Sequence, residues 1–437
     1  MKNRFFKYVS QNILAMIGLS LYILADTYFI SKAVGANGIT ALNMALPVYG
    51  VIFALGQMVG VGSAIRYSIV KEQYRNSNKD GSNECDKYFS GALFWGLVIG
   101  VIFAVLGLVF PDKIVEIMGG DETIVAIGVP YFRIFMSFSP FFIFNYTCNA
   151  FVRNDGNPSV SMAATLISSL FNIVFDYILM FPLGMGMPGA ALATALSPVV
   201  GVMICMIHFL SKKNTVKFRW FKPSITRLFH CCQVGMSAFV GEMSGAVIVM
   251  VFNFIILRLT GNIGVAAYGV VANTALVAVA VFNGVALGSQ PLISESYGKH
   301  NIKDIKLIEK LGVATALGLA VIIVIMIWGF TDTIVGVFNS QGSDRLLSLA
   351  RVGLRIYFIG FLFAGINIFC SSALSAIASV KWAFVLSILK GFVVVNVCAA
   401  ILAPIFGMNG VWVAFPLSEF ILLIISGVAM KKSIDTL

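Results

Sequence analysis

LSLYILADTYFIS, residues 19 to 31, places Asp26 inside an apolar run that begins near Val9 and is long enough to cross a bilayer. A carboxylate is expensive there. Insertion scales put an acidic residue at the centre of a spanning helix at roughly 2.5 to 3.5 kcal/mol, so such a group faces protein or water and marks a functional candidate. What Asp26 faces decides how the rest of the chain is read.

The surrounding sequence supports a membrane setting. Of 437 residues, 59% are hydrophobic and 11% charged, with a mean hydropathy of +0.93, whereas soluble chains carry about 25% charged residues. Apolar runs of spanning length recur from about residue 9 to about residue 430, and in lipid each can satisfy its own backbone only as a helix. A transmembrane barrel would show short alternating strands instead. The pattern predicts an all-α polytopic membrane protein with about twelve transmembrane helices.

The basic residues give the orientation. Lys2, Arg4 and Lys7, then Arg66, Lys71, Arg75, Lys79 and Lys87, then Arg153, the stretch from Lys212 to Arg227, Lys299 to Lys310, Lys381, and Lys431 with Lys432 all fall on one side. The opposite loops carry only Lys32, Lys113, Arg258, Arg345 and Arg351. The positive-inside rule therefore predicts a multi-pass protein of the cell membrane (plasma or inner membrane) with both termini cytoplasmic. The same dispersal excludes nucleic acid as a partner, because the net charge of +11 is spread over short loops and forms no single face. The seven Cys show no metal or disulfide spacing, and His208, His230 and His300 fall at inner helix ends, so thiols are expected reduced and no histidine proton relay is expected. The first hydrophobic segment exceeds a signal sequence in length and lacks a small-residue cleavage site, which predicts a retained helix.

An internal repeat divides the chain. GANGITA at 35 to 41 recurs as GNIGVAA at 261 to 267, and the same shift carries Gly62-Ser63 onto Gly288-Ser289. Later, Gly186-Met187-Pro188-Gly189 recurs as Gly407-Met408-Asn409-Gly410. Two six-helix lobes are expected, at 1–210 and 231–437, joined by a basic cytoplasmic linker at 211–230. Since each lobe starts from the cytoplasm, the two relate by a pseudo-twofold axis along the membrane normal, as in transporters that alternate access around a midplane site. Gly56, Gly60, Gly62, Gly284 and Gly288 are read as close helix-packing positions.

Within the spans the acidic residues are Asp26, Asp176, Glu242 and Glu419. Tyr22 stands four residues before Asp26, and Asn172 four before Asp176, so each carboxylate shares a helix face with a second polar group. Counted along their spans, Asp26, Asp176 and Thr194 fall in the same outward half of the membrane. Two carboxylates, an amide oxygen and a hydroxyl can bind Na⁺ through hard oxygens, in which case Asp26, Asp176, Asn172 and Thr194 are the metal ligands, or they can share a proton. No other cofactor is expected. The bland alternative is that the acids are buried polar groups kept for packing specificity, and for Glu242 and Glu419 it weighs more. Asn145 and Asn149 share a face of the fourth helix and can line a cavity. Glu242, Asn145 and Met180 are candidates for substrate contact.

ADTYFISKAVGANGITALNMALP (25 to 47), NAFVRNDGNPSVSM (149 to 162), NIVFD (172 to 176) and GMGMPGAALATALS (184 to 197) together resemble the multidrug and toxic compound extrusion (MATE) family over essentially the whole chain, within its prokaryotic DinF-like and MepA-like branch. The resemblance implies two six-helix lobes, and a monomer that exports small cationic amphipathic compounds in exchange for H⁺ or Na⁺ in contact with membrane lipid. It also implies a cation site made of Asp26, Tyr22, Asn149, Asn172, Asp176 and Thr194, with a backbone carbonyl from Ala190. The NorM-like acid in the tenth helix is missing, and Gln11 stands where many relatives carry a helix-one proline.

Other classes fit less well. A lipid-linked saccharide flippase of the same superfamily is the alternative, but it needs a cationic cavity, and the spans offer chiefly Lys390 and Arg355. A major-facilitator transporter would carry a Gly and Arg-rich loop between helices two and three, which residues 71 to 87 do not. An enzyme would need a nucleophile with a base, or a metal set, and neither is visible.

Overall fold

The computed structural model describes residues 1–77, 82–338 and 343–436, which leaves Lys79 outside the described residues. Among those residues the regular elements are helices only. They are α1 (Lys2–Ala33), α2 (Ala36–Asn76), α3 (Ser82–Val109), α4 (Pro111–Ile117), α5 (Glu122–Ser137), α6 (Ser139–Asn154), α7 (Pro158–Met180) and α8 (Met187–Phe209), followed by α9 (Ile225–Thr260), α10 (Asn262–Gly298), α11 (Ile302–Gly329), α12 (Thr331–Phe338), α13 (Asp344–Tyr357), α14 (Phe361–Ala376), α15 (Val380–Ile388), α16 (Val394–Phe406) and α17 (Met408–Asp435). A single 3-10 turn joins α13 to α14, and a π-helical segment, Leu389–Val393, joins α15 to α16.

Among the described residues eleven helices are long and apolar enough to span a membrane, and α5 with α6 makes a twelfth. That twelfth span is broken. Its halves bend by 46° around Phe138, where the sequence pattern predicts one continuous run. The cause is local, because Pro140 in the first turn of α6 cannot continue the α5 hydrogen-bond ladder, while at a helix start its missing N–H is no loss. Gly100 of α3 accepts the break at close range: a Cβ there would lie 2.5 Å from Pro140 Cα.

Two compact units form. One is Leu14–Phe239, and the other combines Met1–Ile13 with Val240–Leu437. Each has its own apolar interior: in the first, Tyr131, Phe132, Phe135 and Ile143 pack with Ile30 and Ile52, and in the second Trp412, Phe282, Phe358 and Phe361 are fully buried.

The repeat visible in the sequence is also a repeat of backbone shape. Gly35 and Gly261, at matching positions, have φ of 79° and 68°, and Gly186 and Gly407 have φ of 56° and 58°, a region that favours glycine. Gly62 and Gly288 match as well. A Cβ on Gly62 would run into the Cys231 carbonyl at the start of α9, and one on Gly288 would lie 2.8 Å from the Tyr8 carbonyl at the start of α1. Both glycines therefore serve backbone approach, which drives helix association where lipid removes the apolar incentive.

Overpacking against backbone cannot be relieved by a rotamer change. Gly62→Val is expected to destabilise by about 3 kcal/mol or more, read as loss of the monodisperse peak in detergent gel filtration. Gly318→Val, where nothing lies within 4 Å of the added atom, is the control expected to behave as wild type. Equal profiles for the two variants would refute the packing role.

Asp155 is one of the acids that tie the segment after α8 to the first unit. Asp155, between α6 and α7, has a side chain with no solvent exposure. Its Oδ1 accepts from Lys71 Nζ at 2.8 Å, from Tyr67 OH at 2.7 Å and from the Thr215 hydroxyl. Its Oδ2 accepts from His208 Nε2 and Thr215 N, each at 2.9 Å. Burial alone would raise this carboxyl, but the His208 hydrogen bond and the Lys71 ammonium hold it well below the ordinary carboxylate range.

Candidate functional site

Local sequence places the polar groups before packing does. Asn172 and Asp176 sit one turn apart on α7 and share a face. The turn that follows reverses the chain through Gly184 and Gly186, with φ of 61° and 56°, and Pro188 opens α8 at a position where no N–H is needed. Gly189 lies against the end of α7, its added Cβ meeting the Leu179 backbone carbon at 3.1 Å. With the helices held this close, Thr194 of α8 stands opposite Asn172.

The Asn172 amide has one orientation that satisfies all its neighbours. Its Nδ2 then donates to Asp176 Oδ2 at 3.1 Å, and its Oδ1 accepts from Thr194 N and Thr194 Oγ1, both at 3.3 Å. Asp176 and Asn172 are fully buried, and Asp26 and Thr194 nearly so. Asp26 on α1 lies within electrostatic reach of Asp176. Asp26 Oδ1 and Asp176 Oδ1 are buried oxygens with no hydrogen-bond partner among the described residues.

The arrangement gathers two carboxylates, an amide and a hydroxyl at one buried place. Two carboxylates at this depth repel one another, and each has an oxygen unanswered, so a proton or a small hard cation between them would satisfy both defects. Three or more His, Cys, Asp or Glu side chains do not converge into a metal-binding group anywhere among the described residues. The donors at the site are all oxygens of carboxylate, amide and hydroxyl groups, the hard-ligand type.

The other candidates take different places. Tyr22 is half-buried and lies within electrostatic reach of Tyr49 and Tyr131. Ala190 is fully buried one turn before Thr194. Asn149 turns to other partners: its Nδ2 donates to the Asn145 backbone at 3.0 Å and to Asn145 Oδ1 at 2.9 Å, and its Oδ1 accepts from Ser161 at 3.1 Å. Asn145 is half-buried against Gly201, where any side chain would displace its amide oxygen. Met180 is buried in the apolar cluster around Tyr49 and Tyr131. Glu242 belongs to the second compact unit and is exposed.

Two groups escape the sequence reading. Tyr49 of α2 and Tyr131 of α5 share a 2.7 Å hydrogen bond between hydroxyls, are buried, and lie within electrostatic reach of Asp26. The signal was a tyrosine well inside an apolar run, where the hydroxyl must find a partner. In the second unit, Asn367 Nδ2 donates to Glu419 Oε2 at 2.7 Å, and Ser426 Oγ donates to Asn367 Oδ1 at 2.8 Å, with Lys390 within electrostatic reach of Glu419. Glu419 thus has a hydrogen-bonded neighbour in Asn367, and Lys390 lies within electrostatic reach of the same carboxylate.

With this geometry in place, comparison with known proteins is informative. The family model described as MatE matches residues 12–178 and again residues 238–405, one match for each repeat. The chain is 26% identical over 416 residues to the multidrug export protein MepA of Staphylococcus aureus (strain bovine RF122 / ET3-1), covering 92% of this chain and 88% of that one. It is 25% identical to the MepA of Staphylococcus saprophyticus, with 90% and 85% covered. In three dimensions it superposes with a TM-score of 0.92, at 22% identity, on an outward-facing multidrug resistance MATE family transporter of the MOP superfamily, over 99% of this chain and 96% of that one. The twelve-helix fold in two lobes is shared with that structure.

Proposed function

Because this chain belongs to the MatE family, we propose that it is a multidrug efflux antiporter that exports small cationic amphipathic compounds in exchange for H⁺ or Na⁺, with Asp26 and Asp176 as the coupling pair. It works as a monomer in the cell membrane, with both termini in the cytoplasm. The observation that carries this reading is the pair of buried carboxylates within reach of one another, each with an unanswered oxygen. Asn172, held by Thr194, orients Asp176, and the Tyr49–Tyr131 pair lies within electrostatic reach of Asp26.

Coupling follows from differential binding. A proton or Na⁺ that enters between the two acids removes their repulsion and favours the helix arrangement in which they lie together. A cargo that binds better to the other arrangement is then linked to the ion through that equilibrium. Nothing else is required of the site. The flippase reading draws less support, since Lys390, the chief intramembrane base, already faces Glu419.

Inverted vesicles test the proposal. Uptake of ethidium is expected when the lumen is loaded with acid or with Na⁺, each imposed separately, and not when neither gradient is present. Ethidium uptake indifferent to both gradients would remove the coupling claim. Movement of a lipid-linked saccharide pyrophosphate in its place would favour the alternative.

A further inference from the structure

The first compact unit carries an apolar cavity of about 760 Å³, unrelated to the carboxylate site, between α3, α6, α8 and the segment that follows α8. Leu93, Leu97, Phe144, Val202 and Met206 line it, together with Lys217, Arg219 and Trp220 of the segment after α8, which we take as its mouth. The volume lies in the range of ligand sites, about 300 to 1,000 Å³. One end is cationic and the rest is greasy.

The mouth is fixed in place. Asp86, a buried acid near the start of α3, accepts from Lys217 N at 2.9 Å and from Arg219 Nε at 2.7 Å, while Ser90 Oγ accepts from Arg219 N at 2.9 Å. Asp86 engages the guanidinium through Nε, which leaves its terminal amino groups for a second acid. Among the described residues no acidic side chain is salt-bridged to the Lys217 ammonium. Trp220 is 85% exposed beside them, as an aromatic at a membrane boundary is.

Depth matches as well. Eleven residues separate Asp86 from Leu97 along α3, or about 16 Å at about 1.5 Å per residue, close to half of a hydrocarbon core of about 30 Å. A molecule with its anionic end at Lys217 and Arg219 and its apolar part along Leu93 and Leu97 would span one leaflet. A cationic amphipath, the class proposed above as cargo, meets the wrong sign at this mouth.

We infer that the cavity is a binding site for an anionic phospholipid, its phosphate between Lys217 and Arg219 and an acyl chain along α3 and α8. Basic pockets between spanning helices recognise such headgroups by charge, and the apolar wall adds chain burial. Since the segment at 211–224 forms the mouth, lipid occupancy also ties that segment to the first unit.

Native mass spectrometry of the full purified chain in detergent tests the site, with dioleoylphosphatidylglycerol, dioleoylphosphatidylcholine and the chain-free headgroup glycerophosphoglycerol as probes. The anionic lipid is expected to be retained as a tight adduct at about tenfold lower concentration than the zwitterionic one. Lys217→Glu, at an exposed side chain, and Leu97→Trp, which fills the wall, are each expected to lower that retention about tenfold. Equal retention of the two lipids, unchanged retention in the Lys217 variant, or competition by glycerophosphoglycerol as effective as the intact lipid would each overturn the inference. Should Leu97→Trp fail to fold, the Lys217 variant decides alone.

Discussion

Asp176→Asn is expected to reduce drug resistance in a pump-deficient host to the level of the empty vector, and Asp26→Asn to do the same. Asparagine keeps the shape and burial of each side chain but removes the negative charge and the ability to take up a proton. In the proposed mechanism, the repulsion between two buried acids is what an ion relieves. With one acid gone there is nothing for the ion to relieve, and the linkage to cargo disappears. The effect on stability should run the other way. Among the described residues Asp26 Oδ1 and Asp176 Oδ1 are buried with no hydrogen-bond partner, and a buried charge left so costs stability that a neutral amide does not. The neutral variants should therefore unfold in detergent at or above the wild-type temperature, the pattern of a site kept for function at the expense of stability. Loss of resistance together with a lowered unfolding temperature would instead mark the acids as structural. Wild-type resistance in both variants would remove them from the mechanism.

Much of the fold was legible because lipid leaves the backbone few options. The apolar runs had to be helices, and the GANGITA and GMPG repeats announced glycines whose positive φ the structure displays at both copies. The Asn172 and Asp176 face was legible because one helical turn separates them. What escaped depends on contacts between distant parts of the chain. Tyr49 and Tyr131 are on different helices, and nothing in either local sequence says that the two hydroxyls meet. Pro140 was one of several prolines in or near spans that can mark a kink, and only the packing shows that the bend falls there, since the hydrophobicity runs through Phe138 without interruption. The bonds of Asn149 to Asn145 one turn earlier and to Ser161 of the next helix also depend on packing. The lipid cavity was invisible for another reason: its walls read as ordinary lipid-facing residues, and its mouth as one more stretch of basic linker.

The Asp155 cluster allows a sharper prediction than a charge count would. Asp155→Asn should destabilise by about 3 kcal/mol, because an amide removes the buried negative charge that Lys71 meets and sets its NH₂ group against groups that now donate to the carboxylate. Turned one way, its NH₂ group faces Lys71 Nζ and Tyr67 OH; turned the other, it faces His208 Nε2 and Thr215 N. The histidine could offer an acceptor only by exchanging tautomers. That would place a proton on Nδ1, toward the Asn157 Nδ2 group that contacts it at 3.2 Å. Turning the Asn157 amide would in turn withdraw the Oδ1 that caps α7 at Val160 N. Each rescue therefore breaks another bond. Lys71→Gln is expected to cost less, since the lysine side chain is 32% exposed and water can replace part of what is lost. The pH dependence has a definite sign. A carboxyl held below its ordinary range contributes stability that is fully present above the unfolded value of about 3.9 and is lost only as pH falls through the lower folded value. Titration of Asp155 should accordingly leave the unfolding midpoint flat between about pH 5 and 8. An Asp155→Asn protein that unfolds at the wild-type midpoint would show that the Asp86 contacts to Lys217 and Arg219 hold the segment after α8 without this carboxylate.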